Sequence, residues 1–86
     1  MKLKEYYFQE FDDLTILWVK LLTMLDLDPN ADENANGVEL YDGDEESVEI
    51  RRNGKEIGRI EWGSRGSLFI AEIYANNKQC GRFSTM

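Results

Sequence analysis

The spacing of apolar residues along this chain changes once, near residue 38. Before it, Phe11, Leu14, Trp18, Leu21, Leu22 and Leu25 recur at steps of three and four, the period of one helix face. Pro29 disfavours a helical conformation at Asp28, so the pattern predicts a helix from Asp12 to Asp26. Leu3 and Tyr7 extend the same period upstream, yet the triplet Tyr6, Tyr7, Phe8 favours extended backbone, and a separate strand is the expectation there. Between Glu10 and Leu27, 11 of 18 residues are apolar, more than one stripe requires. Ile16, Val19 and Leu27 fall on the side away from Trp18, and the amino-terminal segment is expected to cover them; a partner or a second copy is the alternative cover.

From Val38 onward the period is two. Residues 38–40, 47–52, 55–62, 67–74 and 79–83 read as strands, separated by DGDEE, NG, GSRG and ANNK, all rich in turn formers. Asn53 and Gly54 suit a two-residue type I′ turn, whose central residues both take positive φ. That turn places Arg51 opposite Glu56 as a salt bridge and Ile50 opposite Ile57 as an apolar pair. Continued without interruption, the register would set Val48 against Arg59 and Ser47 against Ile60. A bulge at Gly58 restores apolar residues to one face. The expectation is a single domain over residues 1–86, α+β in class, with one main amphipathic helix packed on a four- to five-stranded antiparallel β-meander. Such a fold hosts unrelated functions.

Composition narrows the function classes. The chain is 42% apolar, too much for a disordered acidic tail despite a net charge of −7. Its acidic amino terminus does not read as a secretory signal. The densest apolar stretch, residues 14–25, is interrupted by Lys20 and is short of the roughly 20 residues that cross a bilayer. Cys80 has no cysteine partner in the chain, which suits a reducing compartment. Together these lead to a soluble, cytoplasmic protein with no membrane partner. The absence of histidine removes the commonest general base and the usual zinc ligands. Cys80 in the last strand reads as a small packed side chain, and GSRGS lacks the lysine and following helix of a phosphate loop. Neither an enzyme nor a cofactor is expected.

Charge is divided sharply. Residues 1–20 hold three bases and four acids, residues 21–50 ten acids and no base, and residues 51–86 seven bases and three acids. The acidic third requires an external or internal counter-charge. Direct nucleic-acid binding is disfavoured by the pI near 4.5. A basic protein surface, such as that of a nucleic-acid-binding protein, is the expected partner, with Asp32, Glu33, Glu39, Asp42, Asp44, Glu45 and Glu46 as the residues that meet it. An inhibitor of the nucleic-acid-mimic, phage anti-defence or immunity type would use such a surface. The alternatives are a calcium- or ligand-binding accessory domain and a structural homodimer subunit.

The stretch DPNADENANG, residues 28–37, carries the calcium alternative. Counted from Asp28, oxygen ligands fall at positions one, three, five, nine and twelve, but Glu33 occupies the sixth, where glycine is needed. Counted from Asp32, Gly37 is in place, yet Gly43 stands where the bidentate acid belongs. A short helix explains the same letters without a metal: Asp28 as N-cap, Pro29 at the first turn and Gly37 closing it. That is the reading adopted.

Overall fold

The computed structural model describes residues 1–6, 12–42 and 46–85. A 3₁₀ turn at Leu3–Glu5 is followed by α1 (Asp12–Met24), α2 (Glu33–Asn36) and five strands: β1 (Glu39–Tyr41), β2 (Ser47–Arg52), β3 (Lys55–Arg65), β4 (Leu68–Ala75) and β5 (Lys78–Ser84). The strands form one antiparallel sheet in the order β1-β2-β3-β4-β5, and α1 packs on one face of it against β3, β4 and β5. The α+β class and the meander are as the apolar pattern indicated. Residues 7–11, where the amino-terminal strand was expected to continue, lie outside the described residues; its described beginning is a 3₁₀ turn instead.

The core is the layer between helix and sheet. Leu14, Leu17, Trp18, Leu21 and Leu22 of α1 meet Val48, Ile50, Ile60, Ala71 and Ile73, all buried. Leu3 is fully buried and its carbonyl accepts the Trp18 indole N–H at 2.8 Å, so the largest core side chain leaves no unpaired donor. The amino-terminal turn is held by backbone bonds from Leu3 N–H to Ala31 O and from Lys4 N–H to Pro29 O. It therefore covers Trp18. Of the residues expected on the opposite side of the helix, Val19 is half-buried and Ile16 stays 69% exposed, while Leu27 lies past the end of α1 and is buried.

α1 stops two residues before the expected Asp26. Asp26 takes φ 57°, and the bonds Asp26 N–H to Thr23 O and Leu27 N–H to Leu22 O form the six-to-one and five-to-two pair that ends helices in a left-handed residue. The reversal points Leu27 back into the core.

The predicted hairpin at Asn53 and Gly54 is present, with φ 54° and 78° and Arg51 opposite Glu56. The bulge is present as well, one residue earlier than expected. Ile50 pairs with Gly58 and Arg51 with Glu56, so Ile57 is the extra residue, and Val48 then faces Ile60. Gly58 is buried where α1 crosses closest: a Cβ there would sit 2.6 Å from Leu25 Cδ1 and 3.2 Å from Tyr74 O. Two further corrections concern turns. β3 runs through Gly63 and Ser64 to Arg65, which pairs with Leu68, so the reversal occupies only residues 66 and 67. The Arg51 side chain pairs not with Glu56 but with Glu49, two residues along its own strand, at 2.6 Å.

Candidate functional site

One face of the sheet is left uncovered by α1, and strand alternation sends Glu49, Arg51, Arg59, Glu61, Glu72, Tyr74 and Arg82 to it. Two arginines organise it. Arg51 lies 4.4 Å from the centre of the Tyr41 ring and bonds Glu49; Arg59 lies 4.1 Å from the centre of the Tyr74 ring and bonds Glu61 at 2.9 Å and Glu56 at 2.8 Å. Partial burial works against the Arg59 charge, and the hydrogen bonds it donates to Glu61 and Glu56 outweigh it, holding its pKa above the ordinary value. The tyrosine hydroxyls are occupied too, Tyr41 donating to Glu39 at 2.6 Å and Tyr74 to Glu72 at 2.9 Å. Each bond raises its phenol's pKa, since ionising it would set two anions side by side.

The register sets Glu61 directly opposite Glu72. Like charges directly opposite on one face of an antiparallel pair repel. Arg59 pairs with Glu61 and Glu56, whereas Glu72, with Arg82 across from it in β5, is in no ion pair among the described residues. Glu46 joins them across an open groove of about 450 Å³, whose other lining residues are Trp62, Gly63, Ser64 and Ile70. Trp62 N–H bonds Glu46 O at 3.0 Å, which fixes Glu46 to that rim.

The expected partner-binding acids divide into separate places. Glu46 stands at this groove. Glu39 lies on the same uncovered face near the other margin, opposite Arg51 and bonded by Tyr41. Asp32, Glu33 and Asp42 belong to a second cluster, around the amino-terminal turn. Tyr6 donates to Asp42 and packs on Trp18 with ring centres 5.6 Å apart. Burial first, then this bond and the charges of Asp42 and Glu33, push the Tyr6 pKa far up. Asp44 and Glu45 lie outside the described residues. Among the described residues, the only acid of the central third in an ion pair is Glu49, with Arg51.

Within residues 28–37 the oxygen atoms are spent on the backbone. α2 begins at Glu33, so its N-cap is Asp32 and not Asp28: Asp32 Oδ1 accepts Ala35 N–H at 2.8 Å. Asp28 instead makes a side-chain turn, accepting Asn30 N–H at 2.9 Å, and Pro29 precedes the helix. Asn36 stitches the segment, donating to Asp28 O at 3.0 Å and Asp32 O at 2.9 Å and accepting Asp28 N–H at 2.7 Å. Gly37 closes α2 at φ 67°, as expected. Among the described residues, no three acids or thiols converge as a metal centre would need. Glu33 Oε2 reaches across to accept Leu40 N–H at 3.2 Å, on the outer side of β1.

Sequence reasoning missed Glu61 and Glu72. Each sits alone among bases or apolar residues in the chain, and only the β3–β4 register brings them together. A count of strand residues from the turn at 66 and 67 is the signal that would have found them. Cys80 is half-buried, its thiol 3.6 Å from Ile73 O. No described helix is long and apolar enough to cross a membrane. No family model matches the chain, and neither a curated protein nor a solved structure does so.

Proposed function

We propose that this chain is a non-enzymatic interaction module that docks its carboxylates on a basic surface of a partner protein. The observation that carries the reading is the Glu61–Glu72 pair at the groove with Glu46 beside it. A sheet shaped by stability alone would alternate sign at such a pair. Keeping two anions there lowers the stability of the free protein, and a cation from a partner relieves the repulsion. Ile70 in the same groove supplies apolar surface for the stem of a lysine or arginine.

Acids presented on strands keep fixed spacing and direction, as phosphates do along a nucleic-acid backbone. A protein surface that ordinarily holds nucleic acid is therefore the class of partner favoured, and inhibition by occupancy is the expected consequence. Asp32, Glu33, Glu39 and Asp42 extend the negative field and steer the encounter.

The test is retention of lysate proteins on the immobilised chain at about 50 and 300 mM salt. Basic proteins should be held at the lower salt and released at the higher. Charge reversal at Glu46, Glu61 and Glu72 together should abolish retention, with circular dichroism showing the fold intact. Unchanged retention by that folded variant, or the absence of any basic protein at low salt, overturns the proposal.

A further inference from the structure

The two margins of the sheet are protected unequally. β1 is three residues long and its Leu40 N–H is taken by Glu33, whereas β5 runs over seven residues at the opposite margin. In the β4–β5 ladder, Thr85 N–H bonds Phe69 O, and the register continues through Ala71 opposite Phe83 and Ile73 opposite Gly81. Those are the bonded pairs of an antiparallel ladder. The intervening Arg82 and Ser84 therefore turn their backbone N–H and C=O away from β4, toward the open side. No bond from those groups to another described residue is present.

We propose that the margin along β5 accepts an extended acidic segment of another protein as a sixth strand. Charge selects the occupant. β5 carries Lys78 and Arg82 and no acid, and neither base is in an ion pair among the described residues. Glu72 stands across from Arg82 in β4, but its carboxylate accepts the Tyr74 hydroxyl. The Lys20 ammonium lies beside Gly81 on the other face, 3.7 Å from where a Cβ would be.

Two features already on β5 weigh against a second copy of this chain. The irregularity between Ile73 and Tyr74 shortens the regular stretch, and Arg82 would bring positive charge against positive charge near a two-fold axis. The same arginine attracts an acid on the incoming strand. Beyond about 8 Å the overall charge of −7 is screened at physiological salt, so the local bases decide. The fitting segment alternates: acids beside Arg82 on the uncovered face, apolar residues beside the half-buried Phe83 on the helix face.

The experiment titrates the ¹⁵N-labelled protein with two capped six-residue peptides, one alternating glutamate and valine, the other lysine and valine. The acidic peptide should shift the amide signals of Arg82 and Ser84 and slow their hydrogen exchange. It should bind at least about threefold more tightly than the basic one, because the attraction to Arg82 on the uncovered face is replaced by repulsion. Charge reversal at Lys78 and Arg82, both exposed, should invert the preference without unfolding. The proposal is overturned if the two amides do not respond at millimolar peptide, or if both peptides act equally. It is also overturned if exchange at Arg82 and Ser84 slows with protein concentration alone, since a second copy would then hold the margin.

Discussion

Replacing Glu72 by glutamine tests whether the groove keeps its charge at the expense of stability. Glu61 and Glu72 are directly opposite in β3 and β4, which puts their Cβ atoms about 5 Å apart and their carboxylates about 6 Å apart. The Glu61 side chain is 46% exposed, so a water-like dielectric applies. The repulsion is then about 0.7 kcal/mol, reduced by physiological salt to about 0.3–0.5 kcal/mol. Glutamine keeps an oxygen for the Tyr74 hydroxyl, so that bond survives the change. Glu72 also faces Arg82 of β5, an attraction of the same order, so the comparison is made in an Arg82→Gln background. There E72Q should raise the melting temperature by about 2 °C at pH 7, given a slope of roughly 4–8 °C per kcal/mol for a domain of this size. Calorimetry at pH 7 in low salt and in about 0.5 M salt separates the causes, since added salt should shrink the difference. The same variant should lose part of its affinity for a basic partner. A gain of the same size in high salt, or a loss at low salt, refutes the electrostatic account.

Gly58→Ala should destabilise the fold by about 1–2 kcal/mol in chemical denaturation, because the new methyl meets Leu25 Cδ1 at 2.6 Å and the unyielding Tyr74 carbonyl at 3.2 Å. Asp26→Gly should stabilise by about 0.5–1 kcal/mol: it relieves a side chain held at φ 57° and removes an anion from the negative end of α1, and denaturant midpoints report it. Tyr6 binds its proton more tightly folded than unfolded, so the stability from this difference is fully present below the ordinary phenol pKa of 10.0 and declines as pH rises above it. Tyr41 and Tyr74 are shifted the same way, and Tyr6→Phe should therefore flatten, without abolishing, the alkaline fall in stability followed by circular dichroism between pH 9 and 11.

What the residue order made legible was set by short-range rules. The three- and four-residue spacing of Leu14, Trp18, Leu21 and Leu22 marked the buried side of α1, and Asn53 with Gly54 located the β2–β3 turn. The bulge was demanded by a change of phase between Val48 and Ile60, but phase alone does not say which residue is extra. The close passage of Leu25 over Gly58 decides it, and that contact spans distant parts of the chain. Asp28 and Asp32 are equal as caps on paper. Asn36 and the docking of the amino-terminal turn on Pro29 and Ala31 choose between them. The acids looked continuous because they are neighbours in the polymer, yet strand alternation and the loop through Pro29 carried Glu46 to one end and Asp32, Glu33 and Asp42 to the other.

The bond from Glu33 to the Leu40 amide has a consequence for assembly. A sheet lengthens into a fibre only if every added unit offers a fresh template, and this one is plugged from within by a side chain of α2. A second copy therefore finds the β1 amide already taken, and head-to-tail stacking of β5 of one molecule on β1 of the next is opposed at that contact.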